Sequence, residues 1–377
     1  MSTRALGGAL KRNNRHLLVA TLAVIILALL IPPIHGRLHH LRGIANPVTP
    51  RIDVFLYDGA VKDITRGPDD SLWFTQTDVT GGRAYIGHIT RLGNITRVLI
   101  SETTAHMVFP NYITVGQDGH LWVTLRGDPL SGEGFDTPAV PDEIAQVSVS
   151  GTVRFFTVPT PQATPEGITA DSDGNIWFCE SNAYKIGRLT RAGVFHEYPL
   201  PHVKHTRRIS GPHSIAVGPG GSLYATIEES NTIARITPHG VISQFAIPTP
   251  HSYPMGITAG PDGNLWFVEH NANRIARIST KGEVVEYRLP MPARAPVAIT
   301  VGSDGALWFS EENRPNIGRI SLDGIIQEYP IPNGDSASGI TVGPDQNIWF
   351  TQPFVSTGPW WSLSDNWAGI GRLSFSR

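Results

Sequence analysis

The chain of 377 residues carries 30 Lys and Arg against 32 Asp and Glu, is 40% apolar, and contains 39 Gly, 30 Pro and a single Cys. That apolar fraction suffices for a packed core and excludes a disordered chain, while one Cys excludes an intrachain disulfide. Six of the basic residues and none of the acids lie in residues 1–44, which leaves 24 basic against 32 acidic residues beyond them, an acidic balance that disfavours nucleic acid as a partner.

The N-terminus differs from everything after it. Leu17 to Ile34 is an 18-residue run without a charge, preceded by Arg4, Lys11, Arg12 and Arg15. This predicts one hydrophobic helix, read as a signal-anchor with its basic end inside or as a cleaved signal. No A-x-A-like site follows it, and Pro32-Pro33 closes it. Residues 1–44 are therefore expected to be an anchor or signal with its linker. Residues 45–377 are expected to face the periplasm or cell exterior, membrane-anchored through a transmembrane helix or secreted.

From residue 60 onward a unit recurs seven times. A Trp-bearing strand appears as SLWFTQ (Trp73), HLWVTL (Trp122), NIWFCE (Trp177), SLYATI (Tyr224), NLWFVE (Trp266), ALWFSE (Trp308) and NIWFTQ (Trp349). Ahead of each lies a shorter strand centred on Ile64, Ile113, Ile168, Ile215, Ile257, Ile299 and Ile340, at spacings of 49, 55, 47, 42, 42 and 41. A third strand follows, as in KIGRLT and RIARIS, and in copies two to six a fourth ends at Pro, as in EYRLP. Asp262-Gly263 is read as a two-residue type I′ hairpin. Four strands per repeat of this length predict an all-β, seven-bladed β-propeller with four-stranded blades. Copy seven lacks a fourth strand, and Val54–Tyr57 is an orphan patterned like one. The N-terminal strand is accordingly expected to complete the last blade, which hides two sheet edges.

The residues entering each first strand and those ending each Trp strand are expected to share one face around the central channel. Two steps ahead of the first strands stand Lys62, Asn111, Glu166, His213, Met255, Val297 and Ser338. Of these, Glu166 and His213 are obvious acid–base groups. The Trp strands end in Gln76, Leu125, Glu180, Ile227 with Glu228 and Glu229, Glu269 with His270, Glu311 with Glu312, and Gln352. Carboxylates and a histidine on one channel could hold a hard divalent cation while the histidine moves a proton. Equally, a repeated Glu could bond to backbone amides or a neighbouring Arg. Glu180, Glu269 and His270 are candidate ligand contacts, and His202 and His205 are solvated or reach the rim. Cys179 is read as a small buried filler, and the repeated Arg188, Arg235, Arg277, Arg319 and Arg372 as salt-bridging or solvated. Longer loops in copies one, two and seven would wall one side of the channel, and Trp360 and Trp361 there suit a flat or apolar ligand.

Blades such as GITAGPDGNLWFVEHNANRIARISTKGEVVEYRLP resemble those of the streptogramin lyases, the virginiamycin B lyase family, over roughly residues 55–377. The resemblance implies a seven-bladed propeller that confers antibiotic resistance by opening a small cyclic depsipeptide through magnesium-dependent elimination. It also implies a Pro-His before one blade's first strand, a Glu-Pro-His before the next, and a Glu ending that next blade's Trp strand. Pro212-His213 and Glu228 match the second His and the last Glu, whereas Pro165-Glu166 stands in place of the first His and Gly211 in place of a metal-binding Glu. On this basis His213 and Glu166 are the expected catalytic residues, and Glu228 and Glu166 the expected Mg2+ ligands. The alternative is a non-catalytic propeller that binds a peptide, glycan or protein through its long-loop face.

Overall fold

Alternating apolar residues bounded by turn residues give one strand after another, and the computed structural model arranges them as seven antiparallel sheets of four. It describes residues 50–375 apart from 79–81, 103–107, 128–139, 202–210, 293, 333–334 and 356–366. The expected N-terminal helix, the loop histidines His202 and His205, and Trp360 and Trp361 lie outside the described residues. Among the described residues no helix is long and apolar enough to cross a membrane.

Blades one to six each take four consecutive strands, as in blade five with Pro254–Ala259, Leu265–Glu269, Arg274–Ile278 and Val284–Arg288. Blade seven is assembled from both ends of the propeller. Ile340–Val342, Ile348–Val355 and Trp367–Phe375 are completed by Pro50–Asp58, which runs antiparallel to the last strand with Val54 opposite Gly371. The orphan strand therefore sits where the repeat pattern placed it, and is longer at both ends.

Packing shows why the Trp strand repeats. In each of blades two, three, five and six its ring stacks on an aromatic residue of the fourth strand, as with Trp177 on Tyr198 at 5.4 Å and Trp266 on Tyr287 at 5.5 Å. Phe55 takes that place against Trp349, at 5.7 Å and 13° between planes. Six indole N–H groups donate to an Asp of the preceding turn: Asp69, Asp118, Asp171, Asp262, Asp304 and Asp345. Blade four has Tyr224 instead of Trp and Pro219-Gly220-Gly221 instead of an Asp turn, so both members of the pair change together. Four of the five repeated arginines lie over these rings, as with Arg188 on Trp177 at 5.3 Å and Arg372 on Trp349 at 5.4 Å, while Arg235 in blade four donates to Ser222 Oγ.

The turn chemistry differs from the type I′ expectation. Asp262 does not have positive φ; Gly263 alone does, at 75°, with its N–H on Gly260 O at 3.2 Å and Gly260 N–H on Asn264 O at 2.8 Å. A single left-handed Gly closes the longer loop, which frees the Asp side chain to turn back onto the indole.

Hydroxyls stitch the blades together. Thr75 Oγ1 donates to Asn111 O, Thr226 Oγ1 to Met255 O and Thr351 Oγ1 to Lys62 O, each reaching the first strand of the next blade. Cys179 fills the equivalent position in blade three and is fully buried, as expected of a filler. The last of these bonds and the Phe55–Trp349 stack both close the ring. Removing residues 1–58 is thus expected to lower the melting temperature by about 10 °C or more, or to abolish cooperative melting by circular dichroism, since it exposes the edge of Trp367–Phe375 and takes Phe55 from Trp349.

Candidate functional site

The first strands line the central channel, and each of those in blades one to six carries a bulge near its start, between Pro165 and Ile168 or Pro212 and Ile215 for example. A bulge inserts an unpaired residue and re-aims side chains at the strand end. Here the bulged pairs include Lys62-Asp63, Asn111-Tyr112, Glu166-Gly167 and His213-Ser214. Pro165 pairs with Glu180 and Pro212 with Ile227, so first-strand starts and Trp-strand ends do share one face, as the sequence pattern required. All seven first strands border a channel cavity of about 290 Å³, to which Lys62, Asp63, Tyr112 and His213 contribute.

At this mouth blades one to four contribute a connected polar cluster. His213 Nε2 lies 3.0 Å from the Tyr112 hydroxyl and 3.8 Å from Glu228 Oε1. Burial pushes the Tyr112 phenol well above its ordinary pKa, and the carboxylates of Glu166, Asp63 and Glu228 push the same way. The phenol therefore keeps its proton, and its hydroxyl shares a hydrogen bond with Nε2 whose direction follows the imidazole tautomer. The His213 Nδ1 is buried without a partner among the described residues. On the other side of Tyr112, Lys62 Nζ sits 4.6 Å above the ring centroid, donates to Asn111 Oδ1 at 3.2 Å and pairs with Glu166 Oε2 at 3.3 Å. Asp63 is half-buried, and desolvation lifts its pKa to about 6 against the lowering effect of the Ile113 and Ile64 amides.

Of the expected residues, His213 and Glu228 come together, and Glu166 joins them only through Lys62 and Tyr112. Glu180 and Glu269 are fully buried, as is Glu311, and none of the three borders the channel cavity. As ligand contacts they are displaced by their packing at the strand ends. His270 Nε2 stands 3.8 Å from Glu312, off the channel cavity. The residues that sequence reasoning passed over are Lys62, Asp63, Asn111 and Tyr112. The position of Asp63 and Tyr112 in the other blades is Gly, Ser or Ala, and a Cβ on Gly167 would lie 2.7 Å from His213 O. Two large polar residues in a series that demands small ones were the available signal.

The carboxylates do not fit a divalent ion as they stand. Glu166 is engaged by an ammonium, and among the described residues no group of three His, Cys, Asp or Glu is placed to hold a metal.

Residues 56–208 and 203–356 match the virginiamycin B lyase family. The chain belongs to that family. Its propeller superimposes on a streptogramin B lyase structure with a TM-score of 0.71 at 31% identity, covering 87% of this chain and 98% of the other. A catalytically inactive virginiamycin B lyase from Staphylococcus aureus with quinupristin gives a TM-score of 0.72 at 33% identity over 87% and 100% of the two chains. Virginiamycin B lyase of Nocardia farcinica is 28% identical over 162 residues, a stretch that spans 42% of this chain and 47% of that relative.

Proposed function

We propose that this chain is a carbon–oxygen lyase that opens an ester-closed cyclic peptide at the channel mouth by elimination. The observation that carries this is the Tyr112–His213–Glu228 arrangement: a ring nitrogen, a phenol that keeps its proton and a carboxylate, gathered at the channel of a family propeller. In this reading a ligand displaces the Tyr112 hydroxyl from His213 Nε2, and that nitrogen takes the α-proton of the residue whose side chain forms the ester. The electron pair becomes a Cα–Cβ double bond, the Cβ–O bond breaks, and its electrons leave on the carboxylate. The freed Tyr112 O–H donates to the departing oxygen, and Glu228 balances the imidazolium. No water is consumed.

No step above passes through the Mg2+ that the resemblance implies, since Lys62 already engages Glu166. Supporting an extracytoplasmic place for the propeller, anchored or secreted, is the uncharged run Leu17 to Ile34 behind four basic residues.

Incubating the full chain in mild detergent with a cyclic depsipeptide and following the product by chromatography and mass is the test. Elimination shifts the retention time at unchanged mass. A product heavier by one water would replace elimination with hydrolysis, and an unaltered peptide would end the proposal for that ligand class.

A further inference from the structure

Lys62 is the only Lys or Arg among the seven equivalent first-strand positions, and the fold holds it firmly. Its carbonyl accepts from Thr351 Oγ1 at 2.7 Å and from the Gly339 amide at 3.1 Å, both on blade seven. Its ammonium reaches the opposite way, to Asn111 and Tyr112 of blade two and Glu166 of blade three. An ammonium has three N–H donors. Two have acceptors among the described residues, at 3.2 and 3.3 Å, and Lys62 borders the channel cavity with its side chain 41% exposed, so the third is left for a ligand.

We infer that Lys62 is the resident cation of this site: it takes the position a divalent ion would need in order to use Glu166, and its remaining N–H holds a ligand carbonyl oxygen. The chemistry around it selects a neutral acceptor. Glu166 already shares this ammonium and Asp63 borders the same cavity, so a ligand anion would be repelled, whereas an ester or amide carbonyl adds no charge. In the elimination this hydrogen bond falls on the carbonyl next to the departing α-proton and stabilises the charge that develops there. That role rests on the elimination reading, while the exclusion of an ion does not.

The two parts are separable by experiment. Mn2+ titrated calorimetrically into the full chain in detergent is expected to give the same isotherm for the wild type and Glu166→Gln. Lys62→Met, which keeps the apolar stem and removes the charge, is expected to gain a Mn2+ site at least roughly ten-fold tighter, lost again in Lys62→Met/Glu166→Gln. A wild-type Mn2+ site abolished by Glu166→Gln would overturn the inference, as would a Lys62→Met isotherm identical to wild type. Where ring opening is observed, it should survive EDTA and fall roughly a hundred-fold in Lys62→Met, with part retained in Lys62→Arg. Loss of ring opening in EDTA would equally overturn it. Should no cyclic depsipeptide be opened, the Mn2+ titrations still decide the place of Lys62.

Discussion

Replacing His213 by Met is expected to reduce kcat for ring opening by about a thousand-fold, within the range typical of a lost general base, while the melting temperature moves by no more than about 2 °C. The substitution copies what the fold already accepts: blade five carries Met255 at the equivalent bulged position and blade six carries Val297. His213 makes no contribution to the apolar clusters between blades, so its loss should be visible in chemistry and not in stability. Tyr112→Phe provides the complementary measurement. It leaves the ring under Lys62 but removes the hydroxyl 3.0 Å from Nε2, and should lower kcat by about ten-fold with KM little changed. A His213→Met protein that still opens the ring at the wild-type rate would show that the base lies elsewhere. One that melts far below the wild type would show that His213 is structural.

The propeller was legible because its signal is redundant. Seven copies repeat one strand pattern, and five of them report the same packing, namely a Trp stacked on a fourth-strand aromatic residue and tied to a turn Asp, with Phe55 supplying that aromatic from the wrong end of the chain. The site was only half legible for the converse reason. His213, Glu166 and Glu228 stood out as titratable departures from the repeat, but their partners come from blades one and two, 101 to 151 residues away in the chain for the Tyr112–His213 and Lys62–His213 pairs. Only the circular arrangement of first strands makes them neighbours. Nor does a list of end-of-strand carboxylates say which of them meets the histidine. Glu228 follows the last residue of its strand and lies beside His213, whereas Glu180 and Glu269 end theirs and are sealed inside.

Those sealed carboxylates should make the propeller lose stability as the pH rises. The ends of the seven Trp strands carry Gln76, Leu125, Glu180, Ile227, Glu269, Glu311 and Gln352, so four blades use a residue that is neutral at every pH. The nearest cations are already engaged: Lys185 pairs with Glu197 at 2.7 Å, Arg274 with Glu286 at 2.9 Å, and Arg294 with Glu328. Burial consequently lifts Glu180 and Glu269 to a pKa of about 8, and the neighbouring Glu197 and Glu286 add to the rise. In the folded chain they remain carboxylic acids, polar but uncharged, as the glutamines of blades one and seven are. A folded-state value above the unfolded 4.5 means that the stabilisation is complete below about pH 4.5 and is lost as the pH climbs through about 8. Each group contributes at most about 1.4 kcal/mol per pH unit over that window, so the melting temperature of the full chain should fall by on the order of 10 °C between pH 5 and pH 9. The double variant Glu180→Gln/Glu269→Gln should fold, because Gln serves at this position elsewhere, and its melting temperature should fall by about half as much or less across the same range, the remainder coming from Glu311 and Asp63, which burial lifts to about 7 and about 6. A wild-type profile no steeper than that of the variant would mean that both carboxylates are ionised in the folded protein, and that a cation not seen beside them neutralises the charge.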